Sequence, residues 1–488
     1  MKLKKQLSHR FRAEFLGEII YVSSGAVLIV ALARLLDPEG YGLMFLALSV
    51  IGVVKIFSQL GISSSASRYV ANYKETNSGQ IPHILRFSFL LNLIILLVVC
   101  IVFLLLHSHL AALIGEPDLI PFLLIGVFYI IFSTSISFTQ DILQGFEAIK
   151  ASAVLTGIRG AIRPILAIGF VLLGFGALGA FVGYILAYAI GGIIGLIYTY
   201  NQYYRGKEQT QREKGIRRRI IEYSVPITAT STAKVLDNHI DVLLIGFFLN
   251  PTAVAFYTVS KRVIGFVEAP MSALGFTLSP TFEAQKAKGN EDTAARIYEK
   301  ALSHGLSLYI PASAGLILIS EPFVILVFGE EYIGATPVLQ ILAIYAVLVS
   351  IVKVTGNGLD FLGRARARAI ARGITATLNV GLNIVLIPTI GVIGAAIATV
   401  VTYSIYTFAN VYIMALELDL QINWLIKQII HVCLITLAMS LIVYALSDLI
   451  SGFITLFMVV GIGISVWAIL VLSTGLLDVR ETVSTLVR

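Results

Sequence analysis

The chain has 488 residues, of which 57% are hydrophobic and 13% charged, with a mean hydropathy of +0.90. That composition excludes an ordinary soluble domain and indicates a polytopic helical membrane protein. The net charge of +7 does not point to nucleic acid, because the basic residues are scattered through short segments between apolar spans.

The first apolar stretch follows MKLKKQLSHRFR and resembles a signal peptide. It is too long for one, contains Glu18 and lacks a small-residue cleavage site, so it is expected to be retained as the first span. From there about fourteen spans of roughly 20 residues are expected. They run approximately over 15–36, 41–62, 87–106, 119–139, 154–174, 178–200, 221–249, 253–276, 304–328, 336–358, 370–388, 392–416, 424–446 and 453–472. Cys100 and Cys433 fall inside spans and are expected to be small buried hydrophobes. No disulfide framework, metal ligand set, cofactor motif or catalytic constellation is expected.

Loop charges alternate. Lys and Arg occupy the N-terminus and the even-numbered loops from the second to the tenth, from Arg68 and Lys74 through Lys150, Arg217 to Arg219, Arg296 and Lys300, to Arg364, Arg366 and Arg368. The odd-numbered loops contain neither. The positive-inside rule then puts both termini in the cytoplasm of a multi-pass protein of the cell membrane. No outside loop is long enough for a domain. Residues 201–219 look like a connector between halves. Residues 279–300 are expected to be an amphipathic interfacial stretch, with a solvated loop as the alternative.

The chain repeats itself. One constant offset carries Leu36-Asp37-Pro38 onto Leu249-Asn250-Pro251 and Val50-Ile51-Gly52 onto Val263-Ile264-Gly265. Further along, a slightly longer offset carries Phe146 onto Phe361, Gly176 onto Gly391 and Tyr188 onto Tyr403. The repeat is parallel, so its two-fold axis should lie along the membrane normal. The expected organisation is an N-terminal lobe over 1–205, a connector over 206–219, a second six-helix lobe over 220–420, and two further helices with a tail over 421–488. The lobes are expected to enclose a central cleft.

Charges inside spans are costly and must face water or protein. Lys234, Asp237 and Asp241 are spaced to share one helix face. Lys55, Arg159, Arg163, Lys234, Lys261, Arg262 and Lys353 are candidate ligands for an anionic group. Glu18, Asp237, Asp241 and Glu268 are candidates for ion coupling or gating. The competing expectation for each is a structural ion pair or snorkelling. The repeat also sets Lys55 against Glu268, so an inner gate between the two is one expectation.

The pattern Asp-x-Leu-x-Ile-Gly-x-Phe-Leu-x-Pro-x-Ala-x-x-x-Tyr at Asp241 to Tyr257 resembles polysaccharide transporters of the flippase type. So do Gly-x-x-Gly-Ala-Ala-x-Ala-Thr at Gly391 to Thr399 and the Leu-Asp-Pro-Glu-Gly-Tyr-Gly turn at Leu36 to Gly42. They belong to the multidrug/oligosaccharidyl-lipid/polysaccharide superfamily. The resemblance implies a two-lobed all-α bundle that moves a lipid-linked oligosaccharide by alternating access. It implies a lipid-linked sugar and membrane lipids as partners and a drive from membrane potential or from an ion gradient, with Na+ or H+ as the coupling ion; no enzyme activity is expected, and the chain is expected to act as a monomer. A drug or small-solute cation antiporter of the same superfamily is the alternative. A polysaccharide polymerase or ligase fits poorly, since the outside loops offer no basic residue for catalysis.

Overall fold

The computed structural model describes residues 23–287 and 290–474, except for the side chains of 269–270, 272–289 and 291. All regular structure among the described residues is helical. In chain order the α-helices are α1 (Ser23–Leu35), α2 (Pro38–Gln59), α3 (Ile62–Thr76), α4 (Ile81–Ile114), α5 (Leu119–Gly145), α6 (Ile149–Phe170), α7 (Gly176–Thr199) and α8 (Ile216–Phe248). They continue with α9 (Pro251–Ala287), α10 (Glu291–Val327), α11 (Thr336–Phe361), α12 (Ala365–Ile390), α13 (Val392–Glu417), α14 (Ile422–Ser447) and α15 (Phe453–Ser473). Among the described residues, ten apolar helical segments are long enough to cross a membrane, and one of these, Ile149–Tyr204, contains both α6 and α7. Helices α8 and α9, 33 and 37 residues long, are also long enough but carry more charge.

The repeat appears in the local geometry. Asp37 caps α2 by accepting from the Gly40 amide at 3.0 Å. Its counterpart in the repeat, Asn250, accepts from the Ala253 amide at 2.9 Å. Proline follows each cap at the position where its missing N–H costs nothing. Gly176 has φ 55° and ψ −149°, and Gly391 has φ 69° and ψ −151°, a conformation that a side chain resists.

Packing divides the chain into two compact units, Met1–Ala255 and Phe256–Arg488. In the first, α2 packs on α4, α5, α7 and α8, and α6 lies along α7. In the second, α11 and α12 pack on α13, and α10 packs on α11 and α14. The unit boundary differs from the repeat boundary because α8 is seated on α2. The seam is antiparallel and close: a Cβ on Gly42 would collide with the Pro251 carbonyl, one on Gly52 would lie 2.6 Å from His239 Nε2, and one on Gly61 would lie 2.8 Å from the Ser224 carbonyl.

The structure refines three expectations. The second loop contains α3, whose Ile62, Ala66, Val70 and Tyr73 are buried. The stretch 279–300 is mostly helix, the end of α9 and the start of α10. Ala294, Ala295, Tyr298, Ala301 and Leu302 of α10 are buried on one face, so protein rather than a membrane surface covers them. Cys100 is buried as expected, but Cys433 is exposed, on an α14 face whose neighbours Ile430, Leu434 and Leu437 are also exposed. Glu18 and both chain ends lie outside the described residues.

The connector is tied to the first unit. The Gln80 side chain donates to Thr210 Oγ1 at 2.9 Å and to the Gln211 carbonyl at 2.6 Å, and accepts from the Glu213 amide at 3.0 Å. Glu213 accepts from the Tyr73 hydroxyl and from Arg219 at 2.5 Å. The Tyr73 hydrogen bond, then the Arg219 one, holds the Glu213 carboxyl below the usual carboxylate range. A depressed pKa stabilises the docked form above the unfolded value of about 4.3, and that contribution is lost as pH falls through the folded value. A spin label at Lys214→Cys should therefore be immobile at neutral pH and become mobile on acidification. Gln80→Ala should make it mobile at neutral pH, and immobility throughout would refute this docking of the connector.

Candidate functional site

Some of the charges singled out in the sequence meet in two groups, one in each unit, and the others stand apart from them. In the first unit, Lys55 of α2 donates to Ser137 Oγ of α5 at 3.3 Å and lies within electrostatic range of Arg159 and Asp141. Asp141 in turn accepts from Ser63 at 2.5 Å and Ser64 at 2.9 Å. One turn further along α2, Ser58 bonds Thr134 at 2.8 Å and Asn92 donates to the Ser58 carbonyl at 3.1 Å. Hydroxyls on α2 and α5 thus give the charges partners that a purely apolar interface lacks.

The arginines of α6 pack on tyrosines of α7. The Arg159 guanidinium lies 5.2 Å from the Tyr188 ring centroid and that of Arg163 lies 5.3 Å from the Tyr184 ring. Arg163 is buried, and the close pairing of α6 with α7 depends on Gly183, where a Cβ would come within 2.5 Å of the Ala167 backbone.

Helix α8 changes environment along its length. Lys234 is exposed and Asp237 half-buried, whereas Asp241 is 4% exposed. The spacing predicted one shared face. The structure grades that face, because α8 tightens against α2 towards its C-terminal end, where a Cβ on Gly246 would lie 2.5 Å from Leu46 Cδ1. Around Lys234 the residues Thr230, Ser231 and Asn238 are exposed too.

In the second unit, Glu268 of α9 lies within electrostatic range of Lys353 of α11 and Lys261 of α9. Lys261 Nζ is 5.3 Å from the Tyr257 ring centroid, and Arg262 is exposed. The structure therefore brings Lys261, Lys353 and Glu268 together, and separately Lys55 and Arg159.

Sequence reasoning passed over Arg372. It lies on α12, with its guanidinium 4.5 Å from the Tyr403 ring and 5.0 Å from the Tyr406 ring of α13, and it donates to the Tyr403 hydroxyl at 2.8 Å. The signal was available: Arg372 falls inside an apolar span, and Tyr403 repeats Tyr188. Of the nearby loop arginines, Arg364 bonds Glu417 at 2.6 Å and Arg368 pairs with Asp360, so these also serve structure.

Long apolar helices in two units, each with charges lodged among them, define a multi-pass helical membrane protein. The chain belongs to the polysaccharide biosynthesis protein family, which matches residues 15–283. The MatE family matches residues 226–385. Among relatives, the chain is 25% identical over 430 residues to lipopolysaccharide biosynthesis protein WzxC of Escherichia coli K12, covering 85% of this chain and 82% of that protein. It is 27% identical over 212 residues to the probable low-salt glycan biosynthesis flippase Agl15 of Haloferax volcanii, a match spanning 42% of this chain and 45% of Agl15. Among solved structures, the lipid II flippase MurJ in an inward closed conformation superposes with a TM-score of 0.75 at 17% identity, over 94% of this chain and 97% of that one. At that identity the likeness shows the fold alone.

Proposed function

We propose that this protein is a flippase that moves a lipid-linked oligosaccharide or polysaccharide repeat unit across the cytoplasmic membrane by alternating access. The observation that carries this reading is Lys234, an exposed ammonium in the middle of a long membrane helix, flanked by exposed hydroxyls. On a lipid-facing surface such a charge costs roughly 2.5–3.5 kcal/mol or more, so Lys234 faces water. A wet path lined by cations suits a sugar and its phosphates while the lipid tail stays in the bilayer. WzxC and Agl15, named for glycan biosynthesis, support the substrate class.

The chain carries no catalytic step and acts as a monomer, since one chain supplies both units. Asp237, Asp241 and Glu268 are the carboxylates through which Na+ or H+ would couple. A cation antiporter is the second reading, favoured by the MatE match over 226–385. In proteoliposomes, the wild type should flip a radiolabelled lipid-linked sugar, and Lys234→Ala or Asp237→Ala should reduce the rate at least about tenfold with normal insertion. Drug-driven cation exchange without sugar flipping would favour the antiporter.

Both termini are assigned to the cytoplasm, on the absence of Lys and Arg from the odd-numbered loops. In a cysteine-free background, Ser108→Cys and Glu330→Cys should react with an impermeant maleimide on intact cells. Labelling only after the cytoplasmic face is opened would reverse the orientation.

A further inference from the structure

The two units repeat a small aromatic and cationic platform. In the first, the rings of Tyr129 (α5) and Tyr188 (α7) meet edge to face at 4.9 Å and 61°, with the Arg159 guanidinium of α6 over Tyr188 at 5.2 Å. In the second, Tyr345 (α11) and Tyr403 (α13) meet at 4.5 Å and 79°, with the Arg372 guanidinium of α12 over Tyr403 at 4.5 Å. The offset that carries the glycine turn at Gly176 onto Gly391 also carries Tyr188 onto Tyr403, and it brings Tyr129 next to Tyr345. The arginines are related instead by the shorter offset that carries Asp37 onto Asn250, so they are out of register with the tyrosines that they cover. Along α6 and α12 the residues differ, yet each helix delivers a guanidinium to the equivalent ring. Common descent accounts for Tyr188 and Tyr403, which are in register, but Tyr129 and Tyr345 are out of register and so are Arg159 and Arg372, yet the same grouping forms in each unit.

Arg159, Tyr129, Tyr188, Arg372 and Tyr403 are half-buried rather than enclosed, whereas Tyr345 is buried, so the accessible side of the second platform is formed by Arg372 and Tyr403 with Tyr345 behind them. A guanidinium beside the face of a ring presents N–H groups to an anion, while an adjacent aromatic face takes the C–H face of a sugar. Arg159 and Arg372 both lie in the N-terminal half of their helices, the half assigned above to the cytoplasmic side, where a substrate would load.

We infer that Arg159–Tyr188–Tyr129 and Arg372–Tyr403–Tyr345 are duplicated recognition sites, one per unit, for a hexose bearing a phosphate, the chemistry of a sugar joined to a phosphorylated lipid. This rests on the flippase reading and specifies which residues of each unit hold the head group. The alternative role is a staple that merely fastens α6 to α7 and α12 to α13.

Glucose 1-phosphate titrated into the purified chain in nanodiscs, followed by saturation-transfer NMR and calorimetry, separates the two. Two sites per chain are expected. Arg372→Gln and Arg159→Gln should each weaken one site about tenfold, and the double variant both. Tyr188→Phe keeps a ring and should retain binding, whereas Tyr188→Leu and Tyr403→Leu should each lose it at their own site. These tyrosine variants preserve the test if an arginine variant fails to fold. A lower melting temperature with unchanged binding in the double variant would establish the staple and overturn the proposal. Equal binding of inorganic phosphate would overturn the sugar contact, and equal binding of free glucose the anion contact. If the wild type flips lipid-linked sugar yet binds no glucose 1-phosphate, the platforms are wrong and the flippase reading stands. If it flips none, the flippase reading itself fails.

Discussion

Glu268→Lys is expected to abolish transport and lower the stability of the purified protein, and Glu268→Gln to impair transport with a smaller loss of stability. Glu268 is the carboxylate within electrostatic range of Lys261 and Lys353. Neutralising it leaves two ammonium groups among membrane helices without that compensation. Reversing it puts three cations together, where the low dielectric raises their repulsion. Removing one partner of a buried ion pair costs about 3–5 kcal/mol. Glu268 is half-buried and in electrostatic range of the lysines, so a loss below that range is the appropriate expectation. Lys55 is served in the same way within its own unit, by Ser137 and Asp141. The double exchange Lys55→Glu with Glu268→Lys is therefore expected to give an additive loss of flipping rather than a rescue. Thermal melting in detergent and the proteoliposome assay measure the two quantities. Recovery of transport in the double variant would instead establish a direct partnership between Lys55 and Glu268.

The helices and the repeat were legible in the sequence because both are written in apolar length and in residues that only certain backbone turns accept. Asp37-Pro38 and Asn250-Pro251 announce the starts of α2 and α9 through a side-chain cap, and the structure forms the same bond in each. Helix α3 was hidden because its sequence, ISSSASRYVANYKET, is too polar to read as a span. Its buried stripe Ile62, Ala66, Val70 and Tyr73 follows helical spacing and is the signal that a search for spans overlooks. The candidate site was legible as a set of residues but not as groups. Mid-span charges can be picked from sequence, because each needs a reason to exist in an apolar run. Which of them meet depends on how helices far apart in the chain pack, and Lys353 joins Lys261 and Glu268 only through the packing of α11 and α9. Arg372 was overlooked because it lies at the start of its span, close behind Arg364, Arg366 and Arg368, whose role in topology was already explained. The graded burial of Lys234, Asp237 and Asp241 likewise follows from α2, an element not adjacent in sequence.

Gly42→Ala should destabilise the fold by about 1–3 kcal/mol, the cost of forcing extra volume into a packed interface, while Gly157→Ala should stabilise it by up to about 1 kcal/mol, the helix-propensity gain alone. Both glycines lie inside helices, so sequence rules treat them alike. At Gly157 a Cβ would meet nothing within 4 Å. At Gly42, which is buried, it would run into the Pro251 carbonyl, a backbone atom rather than the end of a flexible side chain. Pro251 has little room to retreat, because it opens α9 and is followed by the Ala253 amide that the Asn250 side chain holds at 2.9 Å. The collision must then be relieved by moving α2 away from the turn between α8 and α9. That shift loosens the seam that continues through Gly52 against His239 and Gly61 against the Ser224 carbonyl. Thermal melting of the two single variants beside the wild type reads both signs at once. A Gly42→Ala protein that melts with the wild type would show that the helices do not approach this closely. If both variants were destabilised alike, the cost would lie in the helices themselves rather than in the α2–α8 contact.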